Sequence, residues 1–136
     1  MKKYKLTKED KELIKVAKEL QIYVRVKKRQ LMSEVCSSIR MPNGKIYTGS
    51  SMTIEGSSSG SICGEQGALS KVVEDGEKKI DTIVAVWVSK DYKKNKGWDV
   101  IPPCGNCRHI ISKFGNPWII ISRTQKVKLK DIYPYQ

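Results

Sequence analysis

Two short segments of this 136-residue chain, Cys63-Gly64-Glu65 and Pro103-Cys104-Gly105-Asn106-Cys107-Arg108, restrict what it can fold into more than any other part of it. Three thiols can close three corners of a zinc tetrahedron, so a fold that uses them this way must bring the two segments to one point. A carboxylate two residues from one of the thiols is then held beside the open fourth corner. Zinc in such a site lowers the pKa of a bound water from near 16 to about 7, which makes hydroxide available at neutral pH. A glutamate that does not bind the metal can then carry protons.

At this length the chain is expected to be one domain, residues 1–136, with a core that needs no disulfide staples. Four cysteines, two of them in a C-x-x-C, suit a metal or redox site in a reducing compartment better than a secreted disulfide framework. The segment Met1-Lys2-Lys3-Tyr4-Lys5 is basic, but no apolar stretch follows it as a secretory leader requires. No apolar run approaches the length that spans a bilayer. The expectation is a soluble, cytoplasmic protein without membrane partners. The formal charge of +12, from 26 basic against 14 acidic residues, favours contact with nucleic acid or an anionic substrate. The lysines are scattered through helices, turns and tail, with no RNP-like aromatic motif and no arginine-rich stripe. The charge therefore reads as a solvated surface rather than a nucleic-acid footprint.

Residues 7 to about 29 read as an amphipathic helix, with Thr7 and Asp10 as an approximate capping box and Leu13, Ala17, Leu20 and Val24 at helical spacing. A hairpin follows: Glu34 to Ile39, a Pro42-Asn43-Gly44 turn, and Lys45 to Gly49. Ser50 to Ser61, rich in Ser and Gly, reads as a binding loop rather than a linker. Cys63 opens a helix to about Glu74 with Leu69, Val72 and Val73 as apolar contacts and Gly76 as its stop. Ile80 to Ser89 is an apolar run of the kind buried on both faces of a sheet. Asp91 to Asp99 reads as a charged loop. Cys104 opens a second helix with Ile110, Ile111 and Phe114 inward, and Gly115 ends it. Trp118 to Ser122 is another buried strand, and Val127 to Tyr133 a short closing element. The order describes a three-layer α/β/α domain with a mixed sheet.

In this layout both cysteine groups stand at helix N-termini, where amide N–H groups and the helix dipole favour thiolate. Three thiolates on one zinc leave a net negative charge, and Arg108 is placed to donate hydrogen bonds to one of them; the alternative is an arginine on an exposed helix face. Glu65 is the candidate proton carrier, and its position beside a candidate ligand outweighs the ordinary preference for Glu in a helix first turn. The competing account is a closed structural zinc site, with Cys36 or His109 as fourth ligand. Cys36 lies in a strand as a small buried residue. His109 lies roughly two hundred degrees around the helix from Cys107. Both read as non-ligands.

The chain resembles the cytidine deaminase family, including its blasticidin-S deaminase branch. Asn43-Gly44-Lys45-Ile46-Tyr47-Thr48-Gly49 is similar to the family's turn and second strand, Cys63-Gly64-Glu65 to its C-A-E, Pro103 to Arg108 to its P-C-G-x-C-R, and Asp131-Ile132-Tyr133-Pro134 to its C-terminal E-L-L-P. The resemblance implies a five-stranded sheet between helices and a homotetramer whose sites borrow residues from neighbouring subunits. It implies Zn2+ on Cys63, Cys104 and Cys107, proton transfer by Glu65, and a Pro102 carbonyl that accepts from the substrate amino group. Cysteine as first ligand is typical of deaminases for free nucleosides, whereas polynucleotide deaminases usually have histidine there.

Two departures stand out. The family's N-x-E ribose clamp is replaced by Ser51-Met52-Thr53 at the aligned spacing, or by Thr53-Ile54-Glu55 with a two-residue shift, so Ser51, Thr53 and Glu55 are the candidate sugar contacts. Gln66 stands where many tetrameric members carry an arginine, which leaves Arg108 as the compensating charge. The resemblance implies hydrolytic deamination of a free cytidine- or deoxycytidine-like nucleoside in pyrimidine salvage. The alternatives are another aminated base or a blasticidin-like nucleoside antibiotic, and, in a different class, a structural-zinc module that binds nucleic acid.

Overall fold

The computed structural model describes residues 2–25, 31–54, 62–89 and 97–133. Helix α1 (Lys8–Arg25) starts at a reciprocal cap. Thr7 Oγ1 accepts the Asp10 N–H at 3.2 Å, and Asp10 Oδ2 accepts the Thr7 N–H at 2.9 Å, with Asp in the role Glu usually fills. Its buried stripe runs through Asp10, Leu13, Ile14, Ala17 and Gln21. Leu20 and Val24, expected on that face, are only half-buried.

Nine short strands form among the described residues: β1 (Tyr4–Lys5), β2 (Leu31–Met32), β3 (Val35–Arg40), β4 (Ile46–Ser50), β5 (Thr53–Ile54), β6 (Thr82–Val88), β7 (Trp98–Val100), β8 (Trp118–Ile120) and β9 (Gln125–Lys128). Seven of them make one sheet in the order β1-β9-β8-β6-β3-β4, with β7 also paired to β6, while β2 and β5 pair separately. The sheet is mixed, with β6 and β8 parallel and the other pairs antiparallel.

The strand count corrects the expected five. β8 pairs only with Thr82 and Ile83 of β6, so the later half of β6 is open to β7, which pairs Trp98 with Val88 and Val100 with Val86. Trp98 to Val100 lies partly in what reads from sequence as a charged loop. β1 is an edge strand of two exposed residues opposite Lys126 and Gln125. Neither segment is long enough to show an alternating pattern.

The three layers follow from the alternation along β6. Val84, Val86 and Val88 face α1 and pack with Leu13, Ile14 and Ala17. Ile83 faces the other side, where α2 (Gly64–Glu74) and α3 (Gly105–Ile111) contribute Ala68, Leu69, Val72 and Ile111. Val73, expected inward, is 61% exposed, and Ala68 takes its place in the core. A 3-10 turn (Ser112–Phe114) extends α3 and seats Phe114, and a helical turn, α4 (Leu129–Ile132), follows β9.

The helix–strand distance beneath α2 is set by glycine. A Cβ on Gly49 of β4 would lie 2.2 Å from the Ala68 N and 2.6 Å from the Gly64 O, and one on Gly64 would lie 3.0 Å from the Val35 O. The N-terminus of α2 therefore rests directly on the backbones of β3 and β4.

Candidate active site

α2 and α3 lie on the same face of the sheet, and their N-termini meet. Cys63 and Cys104 occupy the N-cap positions of the two helices in extended backbone, and Cys107 lies one turn inside α3. The three sulfur atoms lie within 4.8 Å of one another. Zn–S bonds of 2.3 Å in a tetrahedron require sulfurs about 3.8 Å apart, so small side-chain adjustments would close these thiols on one ion. The donor set fits zinc.

The environments of the thiols differ. Cys104 is the exposed one. Hydrogen bonding from the Cys107 N–H holds its pKa below the usual thiol value, with a smaller contribution from the Asn106 N–H. Burial pushes the Cys63 thiol up, against a hydrogen bond with Cys107 that lowers it. Burial, together with the nearby Glu65 charge, pushes Cys107 strongly up. The thiolate-favouring effect expected of both helix N-termini thus prevails at Cys104, while desolvation outweighs it at Cys63. A bound divalent cation would supply the charge that lets the two desolvated thiols ionise alongside Cys104.

Glu65, in the first turn of α2, is 7% exposed. Burial raises its pKa above the ordinary carboxyl value, partly offset by its own N–H and by Cys107. Its side chain borders a cleft of about 280 Å3 that also takes in Cys63, Cys104, Ser51, Thr53 and Pro102. The structure thus gathers most of the sequence candidates around one opening, while Glu55 lies outside the described residues. Ser51 sits there in a particular way. Its Oγ accepts the N–H groups of both Glu34 and Val35, each at 3.0 Å, so its two lone pairs are engaged and only its O–H is available to a ligand.

Arg108 does not make the thiolate contact expected of it. Nε donates to the Pro103 O at 2.9 Å and Nη1 to the Ile132 O at 3.1 Å, so the side chain braces the Cys104 loop against α4. His109 points away from the thiols, with Nδ1 2.7 Å from the Tyr133 hydroxyl. Cys36 is fully buried in β3, with its Sγ 3.5 Å from Ser50 Oγ. Among the described residues neither joins the thiol cluster.

The cleft has wall residues that motif reading passed over: Glu34, Ile62 and Ile101. Ile62 pairs with Met52 in an isolated antiparallel bridge directly ahead of Cys63. The available signal was that Glu34 opens a predicted strand and Ile62 precedes a predicted helix, but nothing in the sequence alone brings them together.

Comparison with known proteins gives the same fold and signature. The chain is 27% identical over 139 aligned residues to the blasticidin-S deaminase of Bacillus cereus, covering 98% of this chain and 96% of that protein. It is 35% identical over 88 residues to a probable cytidine deaminase of Dictyostelium discoideum, covering 64% of this chain and 54% of that one. Among solved structures, the cytidine deaminase from Bacillus anthracis superposes with a TM-score of 0.74 at 22% identity, over 92% of this chain and 86% of that one. The cytidine deaminase from Burkholderia pseudomallei gives 0.68 at 21% identity, over 96% and 98%. At these identities the two structures establish the shared fold. The family described as the cytidine and deoxycytidylate deaminase zinc-binding region matches residues 7–123, a span that takes in both cysteine segments and the strands from β2 to β8. The chain therefore belongs to the cytidine and deoxycytidylate deaminases, which are zinc-dependent hydrolases.

Proposed function

We propose that this protein hydrolytically deaminates a free cytidine- or deoxycytidine-like nucleoside, releasing ammonia and the uridine-like product. The observation that carries this reading is the pairing of three convergent thiols with a buried glutamate on the wall of an open cleft. In it, Cys63, Cys104 and Cys107 hold zinc and Glu65 moves the protons. Zinc, when bound, makes hydroxide available at neutral pH. Glu65 takes the proton lost by the attacking water and passes it to the ring nitrogen beside the amine-bearing carbon. It then carries a second proton to the departing amine, so that one water enters and one ammonia leaves. The Pro102 carbonyl on the cleft wall accepts from the substrate amino group and orients it. Burial of Glu65 brings its proton affinity nearer to that of the groups it exchanges with.

A second reading has its own support. The near full-length similarity to a blasticidin-S deaminase, together with Ser51 and Thr53 at the positions of the family's sugar clamp, favours a substrate whose ring carries a modified sugar. On either reading we take residues 1–136 as one domain that works as a cytoplasmic homotetramer, by resemblance to the short family members, with pyrimidine salvage as the role if the substrate is cytidine. No helix among the described residues is long and apolar enough to cross a membrane. A panel of cytidine, deoxycytidine, cytosine, adenosine and blasticidin S, assayed for zinc-dependent ammonia release, separates these readings. Turnover of cytidine or deoxycytidine is the expected result. Turnover of blasticidin S alone would select the second reading, and no release from any of the five would contradict both.

A further inference from the structure

The cleft carries a second carboxylate that the chemistry above does not use. Glu34, just ahead of β3, lines the same opening as Glu65. Its backbone is fixed there by the Ser51 hydroxyl, which accepts its N–H at 3.0 Å. Its side chain is exposed and, among the described residues, makes no hydrogen bond or ion pair. The composition of the wall sharpens the point. The protein has 26 Lys and Arg against 14 Asp and Glu, yet no basic residue is among the described residues that line the cleft. Ser51 has already given both lone pairs to backbone N–H groups, so among the described residues Glu34 and Thr53 are the side-chain acceptors left on the wall away from the thiols.

We propose that Glu34 is a specificity determinant: it accepts hydrogen bonds from the substituent carried by the aminated ring, favouring hydroxyl or cationic groups and rejecting phosphate. This rests on the deaminase reading of the site. A carboxylate gains from an ammonium or hydroxyl donor and loses against a phosphate of like charge, and Glu34 can discriminate in both directions because it has no partner among the described residues.

The test is a binding series on the zinc-loaded Glu65→Gln protein, in which no substrate is consumed. Dissociation constants are measured by calorimetry for 5′-amino-5′-deoxycytidine, cytidine and cytidine 5′-monophosphate, with free cytosine as the ligand that lacks a substituent. With Glu34 present, affinity is expected to fall in that order from the amino derivative to the monophosphate. Adding Glu34→Gln should weaken the amino derivative on the order of tenfold and leave cytosine within about twofold. Adding Glu34→Lys should place the monophosphate ahead of the amino derivative. Because the side chain is exposed and makes no hydrogen bond or ion pair among the described residues, both variants are expected to fold, and zinc content checks this. The same order of affinity in all three proteins would overturn the role of Glu34 alone. If none of the four ligands binds the zinc-loaded protein, the deaminase reading is overturned and this assignment with it.

Discussion

Glu65 is the side chain on which the proposed chemistry turns, and it can be separated from the metal by substitution. Glu65→Gln keeps the shape and removes the titrating oxygen. The expected result is full zinc content by atomic absorption with kcat lowered about 10²–10⁴-fold. Cys36→Ser tests the open site. Cys36 lies in β3 next to Ser50, so its loss should leave one zinc per chain, whereas Cys107→Ser should lose the metal. Zinc loss in Cys36→Ser would mean a closed four-ligand site. The reactive residues were the legible part of the sequence, because ligand chemistry imposes its spacing on the chain. Their neighbours were less so. Arg108 reads as a thiolate donor from its position alone, but two backbone carbonyls lie within its reach and take its N–H groups instead. Ser51 reads as a sugar contact, and it stands on the cleft wall. That its oxygen is already engaged with Glu34 and Val35 depends on a strand pairing that the sequence does not display.

Among the elements, α2 depends on an unusually close seat. Gly49→Ala would drive a methyl group into the Ala68 N and Gly64 O and push away the helix that carries Cys63 and Glu65. Overpacking of this kind destabilises by about 1–3 kcal/mol, and a displacement of roughly 1 Å at a catalytic group lowers kcat about 100-fold. Urea unfolding and steady-state kinetics on the variant measure the two effects, and a wild-type kcat would show that the helix seat does not control the site. Helices and central strands were readable because their apolar spacing extends over several turns or several residues. Leu13 and Ala17 on α1, and the run along β6, are examples. β1 and β7 escaped because two- and three-residue strands are defined by the partner they find. Val73 misled for the opposite reason: it has the right side chain beside the right stripe, but helix rotation leaves it exposed and turns Ala68 inward.

The whole molecule is tied together by one buried carboxylate. Asp10, fully buried at the start of α1, lies 2.9 Å from Arg40 Nη2 at the end of β3 and 2.7 Å from Lys126 Nζ in β9. Arg40 continues to Asp81 at 3.1 Å and to Thr82 Oγ1 at 2.9 Å. The α1 layer is thereby fixed to three sheet segments at once. Burial alone would raise the Asp10 pKa, but hydrogen bonds from Lys126, the Thr7 N–H and Arg40 together outweigh it and hold the pKa below the usual value. A lowered folded-state pKa contributes stability above the unfolded value of about 3.9 and loses it as pH falls through the folded value. Asp10→Asn should therefore destabilise the protein by about 3–5 kcal/mol at pH 7, because Arg40 and Lys126 lose their buried partner. The difference from wild type should shrink as pH falls below about 4, where the unfolded wild-type carboxyl takes up a proton, and should be least once pH has passed below the lowered folded value. Urea unfolding at pH 7 and pH 3 measures this, and a difference independent of pH would show that packing rather than charge is responsible.

The measurement that bears most directly on function joins metal to turnover in one sample. The protein is stripped of metal with a chelator, reloaded with increasing zinc, and at each step assayed for conversion of cytidine to uridine and for ammonia. The expected result is activity that rises in proportion to bound zinc, saturates at one ion per chain, and is absent in zinc-loaded Glu65→Gln. One zinc bound per chain with no deamination of cytidine, deoxycytidine or blasticidin S would contradict it, and would leave the three thiols a structural centre.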